Sequence, residues 1–107
     1  MSDRAKWSAF EQLSIDEFAV ELQKVMSDMA DLLQAKRSAY GPSNLTEFGD
    51  IGVLIRTNDK IKRLIHMHRE GIDTTAVGED ALDAWRDIAG YALLVLVADF
   101  AERESHA

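Results

Sequence analysis

The sequence predicts an all-α protein, and three observations support that fold class. Long segments repeat their apolar residues at intervals of three and four, which is the period of an amphipathic helix. The chain of 107 residues contains only one proline and six glycines, too few for a turn-rich β fold. A capping box and a Gly-Pro pair mark the two ends of the first such segment. We expect three main helices, at about 14–40, 44–70 and 78–102, in an antiparallel bundle.

The first predicted helix has the clearest boundaries. Ser14 and Glu17 have the spacing of a capping box, and the Gly-Pro pair ends the helix. Its apolar stripe consists of Ile15, Phe18, Leu22, Val25, Met29 and Leu32. Residues 1–13 form an N-terminal arm, which is either a short helix docked on the body or a frayed terminus. Residues 14–107 are expected to form a single helical domain.

The second predicted helix has two different faces. Asn44 and Glu47 have cap-and-reach spacing at its start, and Gly71 is expected to stop it. Its expected core face consists of Ile51, Leu54, Ile61 and Ile65, with Asn58 among them. A separate charged strip begins with two glycines and consists of Gly49, Gly52, Arg56, Asp59 and Arg63. Because glycine destabilises helices, the strip indicates close approach of a ligand or backbone, or simply easier packing against the first helix.

The third predicted helix changes character along its length. Trp85, Ile88 and Ala92 face one way in its first half. Acidic residues face another way: Asp80, Asp83 and Asp87. From Ile88 to Ala98 the helix is apolar on nearly every side, so it must be covered all round. Two preceding helices cannot easily do this, and we therefore expect a homodimer or a higher homo-oligomer to complete the bundle.

Composition narrows the classes of function. The net charge of −7 argues against nucleic acid as a partner, because duplex binding needs a basic surface. The lack of cysteine excludes thiolate zinc sites and cysteine nucleophiles. The sequence shows neither a signal-peptide pattern nor an apolar run of the roughly 20 residues that span a bilayer. We therefore expect a cytoplasmic protein without a membrane partner.

Charges of opposite sign line the second and third predicted helices. We expect these helices to form an antiparallel hairpin about residues 71–78, which places Arg63 about level with Asp87. Asp59 and Asp87 would then be partly buried carboxylates, which need a cation or a close donor. The alternative is that both strips are solvated faces linked by exposed ion pairs, each contributing about 0–1 kcal/mol.

These residue types suit magnesium and phosphate. Magnesium binds one or two carboxylates together with substrate phosphates and waters. We expect its ligands among four acids: Asp59, Glu79, Asp83 and Asp87. Asp83 and Asp87 are also the candidate catalytic residues, because a metal-activated water can attack a phosphoryl group. The substrate-binding candidates are basic residues that can hold phosphate oxygens: Arg56, Lys60 and Arg63.

Two strings in the sequence resemble a known family. They are Gly52-x3-Arg56-x2-Asp59-Lys60-x2-Arg63-Leu64 and Glu79-x3-Asp83-x3-Asp87-x3-Tyr91-Ala92. With the Tyr-Gly pair after the first helix, they resemble the small phage-type "nucleotide modification associated" domains. Those domains are similar to the MazG-like all-α nucleotide pyrophosphohydrolases. The resemblance covers about residues 30 to 98.

The resemblance implies an oligomeric, magnesium-dependent nucleotide-binding protein of a bacterial or phage-infected cell. In MazG-like enzymes, acids on two neighbouring helices hold magnesium, and a (deoxy)nucleoside triphosphate is split into monophosphate and pyrophosphate. Asp83 and Asp87 match the last acidic motif of that group, with Glu79 one turn earlier. The paired-glutamate motif of the preceding helix is replaced by Arg56, Asp59, Lys60 and Arg63. The resemblance therefore implies nucleotide binding more directly than hydrolysis. A non-catalytic helical oligomer that acts as a protein-interaction module is the alternative.

Overall fold

The protein is all-helical in the residues that its computed structural model describes, which are 4–41, 43, 46–71 and 81–106. These residues form four helices and no strand: α1 (Arg4–Glu11), α2 (Ile15–Tyr40), α3 (Gly49–Glu70) and α4 (Ala81–Ser105). The predicted all-α class is therefore confirmed. The chain divides into two compact units, Met1–Lys36 and Arg37–Ala107.

The first unit contains α1 and most of α2. The Glu17 backbone N–H donates to Ser14 Oγ at 3.1 Å, and the Ser14 backbone N–H donates to Glu17 Oε1 at 2.9 Å. These two bonds are the predicted capping box. Within α1, the rings of Trp7 and Phe10 are in edge-to-face contact, with centroids 5.4 Å apart. Phe10 also contacts Phe18 of α2, with centroids 6.0 Å apart, so the N-terminal arm forms a helix that touches α2 through this pair.

The apolar stripe of α2 is covered unevenly. Met29 is only 5% exposed, whereas Ile15 at the beginning of the helix is 88% exposed. Phe18, Leu22 and Val25 are also exposed. The predicted stripe therefore exists as one side of a helix, but its N-terminal half is not a core.

α3 begins later than the sequence predicts. Before it, Ser43 O accepts from the Thr46 N–H at 3.3 Å, and Thr46 O accepts from the Gly49 N–H at 3.2 Å. The helix begins at Gly49, whose φ of 59° lies in the left-handed region, and the preceding Phe48 makes no side-chain capping bond. The start predicted at about residue 44 lies outside the described residues, and the described residues 46–48 form turns before the helix begins at Gly49.

The glycines of α3 have local explanations. Gly49 supplies the left-handed φ at the first turn. At Gly52, an added Cβ would lie 3.0 Å from the Cβ of Phe48, one turn earlier. Neither position therefore indicates a ligand or another helix. At the other end, Gly71 has a φ of 61° and its N–H donates to Met67 O, which confirms the predicted stop.

α3 and α4 pack against each other, as an antiparallel hairpin would require. The least exposed row of α3 consists of Val53, Thr57, Lys60, Leu64 and Met67. The corresponding row of α4 consists of Ala81, Ala84, Ile88, Tyr91 and Val95. Both rows alternate steps of three and four, the spacing of helices that cross at a small angle. Ala84 and Gly90 are the buried residues of α4. Ala84 belongs to the packing row, and its small side chain allows the two helices to approach closely.

The face of α3 that the sequence predicts to be the core is exposed in the single chain, so this prediction is wrong. Its four apolar residues are 41–62% exposed: Ile51, Leu54, Ile61 and Ile65. On average they lie about a third of a turn from the row that packs on α4. Trp85 of α4, also predicted to face inwards, is exposed as well. The hairpin packs through a narrower, partly polar row, because the small residues of α4 are located there.

The apolar end of α4 remains exposed. Leu96, Val97 and Phe100 are 60–64% exposed. The helix extends to Ser105, three residues beyond the predicted end at 102 (105 − 102 = 3), and an Arg103–Asp99 ion pair of 2.7 Å supports this last turn. No helix in the described part of the chain is long and apolar enough to cross a membrane.

Candidate functional site

Most of the predicted site residues lie on α3 and α4. The described ones are Arg56, Asp59, Lys60 and Arg63 on α3, and Asp83 and Asp87 on α4. Glu79 lies outside the described residues. On α3, the charged strip and the exposed apolar residues lie on opposite sides of the row that packs on α4. The charged strip therefore forms one edge of the helix contact, and the apolar residues are directed elsewhere.

An ion pair between Lys60 and Asp87 connects α3 with the acidic residues of α4. Lys60 Nζ lies 3.0 Å from Asp87 Oδ2, and the two side chains are only 26% and 23% exposed. The predicted partly buried carboxylate with a close donor is therefore confirmed for Asp87. Partial shielding from solvent makes such a charge-assisted bond stronger than a surface ion pair.

The structure revises two details of this arrangement. Asp59 is exposed, because it projects about a third of a turn away from the packing row, so its predicted partial burial is wrong. Lys60 lies one helical turn before Arg63, the residue predicted to be level with Asp87. A lysine side chain reaches along about one turn of 5.4 Å, so a residue one turn from the level position can supply the partner.

Asp83 has a cation on its own helix. Arg86 Nη1 donates to Asp83 Oδ1 at 3.1 Å, and both side chains are about half exposed. An exposed pair of this kind contributes about 0–1 kcal/mol to stability. Arg86 was not among the predicted site residues, although Asp83 and Arg86 have the three-residue spacing of neighbours on a helix. The acidic strip therefore contains a basic residue beside one of its candidate metal ligands.

The acids fit only a small magnesium site. Among the described residues, no group of three or more His, Asp or Glu side chains could hold a metal ion. Asp83 and Asp87 are four residues apart on α4, so they are neighbours on one side of the helix. Two carboxylates are sufficient for magnesium when substrate phosphates and waters supply the other ligands. The larger predicted set, with Asp59 and Glu79, stays a prediction.

Comparison of the chain with protein-family models, curated proteins and solved structures finds no match. The likeness to MazG-like enzymes therefore stays a prediction from two strings of residues.

Proposed function

We propose that the chain binds a nucleotide together with magnesium on the charged side of α3 and α4. The observation that carries this proposal is the ion pair between Lys60 and Asp87, which joins a basic segment of α3 to an acidic segment of α4. A phosphate chain is recognised by cationic donors, and its magnesium ion is held by carboxylates beside them. α3 supplies the first of these groups, and α4 supplies the second.

The basic residues of α3 hold the phosphates in this proposal. Arg56, Lys60 and Arg63 are spaced by four and three residues, so they project to a similar side of the helix. Arginine offers a planar fork that can bind two phosphate oxygens, whereas lysine offers a compact charge on a flexible stem. The Lys60 ammonium, which neutralises Asp87 in the structure, can turn to a phosphate when the ligand is bound.

The acids of α4 have the metal-binding and catalytic roles. In this proposal Asp83 and Asp87 would hold magnesium and orient a water molecule towards the substrate. The bound ion supplies charge neutralisation and a more acidic water. In hydrolysis of a (deoxy)nucleoside triphosphate, the water oxygen bonds to the α-phosphorus, and the bond from that phosphorus to the pyrophosphate oxygen breaks. The products are a monophosphate and pyrophosphate.

A panel of nucleotides with magnesium tests the proposal. A nucleotide that binds the folded chain raises its free energy of unfolding by RT ln(1 + [L]/Kd), about 2.7 kcal/mol at a concentration of 100 times Kd. We expect at least one triphosphate to stabilise the chain in thermal unfolding, with magnesium increasing the effect. Release of pyrophosphate would show that binding is followed by hydrolysis.

The matched control is an acid outside the site. Asp83→Asn with Asp87→Asn is expected to abolish the stabilisation by nucleotide. Glu21→Gln is expected to retain it, because Glu21 is an exposed acid of α2 that pairs with Lys24 at 3.1 Å. If no nucleotide stabilises the native chain, the proposal is wrong. If stabilisation survives the double substitution, the assignment of the site is wrong.

The second candidate function is that of a non-catalytic helical oligomer acting as a protein-interaction module. The observation that favours it is the exposure of apolar side chains on both helices of the hairpin. They include Leu54, Ile61 and Ile65 on α3, and Leu82, Trp85 and Leu96 on α4. Exposed apolar residues in this number are typical of surfaces that bind another protein. An oligomer that does not respond to any nucleotide would favour this function over the first.

A further inference from the structure

Lys60 is a charged residue within the row of α3 that packs on α4. Its ammonium nitrogen lies 3.0 Å from Asp87 Oδ2, and the two side chains are 26% and 23% exposed. The proposed function places magnesium at the same carboxylate. Two cations at one carboxylate repel each other, most strongly where water is partly excluded. Lys60 and a metal ion therefore compete for Asp87.

This competition is stronger at Asp87 than at the neighbouring acid. Arg86 Nη1 lies 3.1 Å from Asp83 Oδ1, but those side chains are 50% and 55% exposed. Water screens an exposed pair and can replace either partner, so Arg86 gives way to a metal ion easily. A shielded pair has less water available for this replacement. Of these two ion pairs, the one at Asp87 opposes a metal ion more.

A phosphate chain bound on α3 offers Lys60 a second partner. Arg56 and Arg63 lie about one helical turn before and after Lys60, so a phosphate that they bind is within reach of the lysine side chain. Phosphate oxygens are strong acceptors for an ammonium group and compete with the carboxylate for it. When Lys60 turns to phosphate, Asp87 loses the ammonium and can accept a metal ion in its place.

We infer that Lys60 makes metal binding depend on nucleotide: without phosphate it occupies Asp87 and opposes magnesium, and with phosphate it leaves Asp87 to the metal. This inference rests on the proposed function and adds the regulation of its site. Because the coupling between two ligands is reciprocal, each of them should increase the affinity for the other. The chain then binds free magnesium weakly and binds magnesium tightly when a nucleotide is present.

Lys60→Gln distinguishes this role from a structural one, because the substitution is expected to have opposite effects on the two ligands. If Lys60 occupies Asp87 in about nine of ten chains, its removal tightens the binding of Mn²⁺ alone by about tenfold. The same substitution removes a phosphate donor and is expected to weaken the metal-free binding of inorganic triphosphate by about tenfold. A lysine that only supports the fold would change both affinities in the same direction.

The binding of each ligand is measured separately. Mn²⁺ stands in for magnesium because electron paramagnetic resonance distinguishes its free and bound forms, and inorganic triphosphate is titrated by calorimetry in EDTA. Lys62→Gln is the matched control: it removes the same charge two residues along α3, from an exposed side chain on a different side of the helix. We expect it to change either affinity by less than about twofold. Adding Asp87→Asn to Lys60→Gln is expected to abolish the gain in Mn²⁺ affinity.

Three results would overturn the inference. They are a Lys60→Gln chain that binds Mn²⁺ no more tightly than the native chain, an equal gain in Lys62→Gln, and triphosphate binding that is absent or does not change in Lys60→Gln. The manganese titration contains no nucleotide, so its outcome is separate from that of the proposed function. The proposed function fails instead when no nucleotide with magnesium stabilises the native chain.

Lysine acetylation tests the same exchange in the native chain, where no variant has to fold. Saturating Mn²⁺ is expected to increase the rate at which acetic anhydride modifies Lys60 by about twofold or more, because the ion displaces its ammonium from Asp87. Inorganic triphosphate is expected to lower that rate, and Lys62 provides the internal control. Mass spectrometry of the digested chain measures both lysines. A Lys60 rate that responds to neither ligand would overturn the inference.

Discussion

Glu17 is an exposed carboxylate whose acidity depends on folding. The backbone N–H of Ser14 donates to it, and this bond, followed by the contact with the Ser14 side chain, lowers the pKa of Glu17 below its ordinary value of 4.5. Hydrogen bonds to the ionised form favour ionisation. Because these bonds need the first turn of α2, the capping box couples the stability of the chain to pH.

We expect the native chain to lose part of its stability advantage over Glu17→Gln in acid. A group whose pKa is lowered by folding contributes stability above its unfolded pKa, and that contribution is lost as the pH falls through the folded pKa. The difference in free energy of unfolding should therefore be constant near neutral pH and decrease below pH 4.5. Urea unfolding followed by circular dichroism between about pH 3.5 and 7 measures it, with Glu21→Gln as the control. A difference that does not vary with pH would show that the Glu17 carboxylate does not cap the folded helix.

At the scale of elements, α3 shows which features depend on distant residues. The sequence predicts the stop at Gly71 correctly, because that signal is local to the end of the helix. It does not predict which side packs on α4. The apolar residues of α3 are more hydrophobic than the packing row, yet the row with Thr57 and Lys60 is less exposed. Which side of α3 packs on α4 depends on residues of α4 such as Ala84 and Asp87. Asp87 lies 27 positions after Lys60 in the sequence (87 − 60 = 27).

The candidate site also has some features that the sequence predicts and others that it does not. The opposition of the two strips could be predicted, because each strip is periodic and the connection between the helices is short. The exposure of Asp59 could not be predicted, because the periodicity of α3 places Ile61 and Ile65 in the core. The partner of Asp83 was overlooked, although Arg86 is only three residues away. Periodicity thus defines the faces of a helix, and the neighbouring helix decides which face is covered.

The ion pair between Lys60 and Asp87 should stabilise the contact of α3 with α4. Removing either charge takes away the ion pair while the other group stays mostly shielded from solvent, and we expect Lys60→Met or Asp87→Asn to reduce the free energy of unfolding by about 1–2 kcal/mol. The combined substitution should cost less than the sum of the two, because the same ion pair is lost only once. Chemical unfolding of the four chains measures the coupling.

An exposed ion pair provides the control for this cycle. Lys24 and Glu21 are 3.1 Å apart on α2, but their side chains are mostly exposed. Lys24→Met is therefore expected to change the free energy of unfolding by less than about 0.5 kcal/mol. If the coupling free energy between Lys60 and Asp87 is also below about 0.5 kcal/mol, the pair is only a surface contact.

At the scale of the whole molecule, the described residues contain very few buried apolar side chains. Met29 and Ala84 are the hydrophobic residues that are buried there, and one of them is small. Burial of apolar surface is the main favourable contribution to folding. Because apolar side chains of α2, α3 and α4 are exposed, the described residues bury little apolar surface within one chain. Association with another chain that covers these side chains should bury more apolar surface and so add to the free energy of folding.

This dependence predicts that thermal stability increases with protein concentration. When folding and association are coupled, mass action favours the folded oligomer as the concentration rises. For a dimer, a tenfold increase contributes about 1.4 kcal/mol per dimer, or roughly 3–5 °C in Tm for a chain of this size. We therefore expect Tm to rise by about 6–10 °C between about 2 and 200 µM, measured by circular dichroism in cells of different path length. A Tm that is constant over this range would mean that one chain folds without a partner and that the exposed stripes do not mediate self-association.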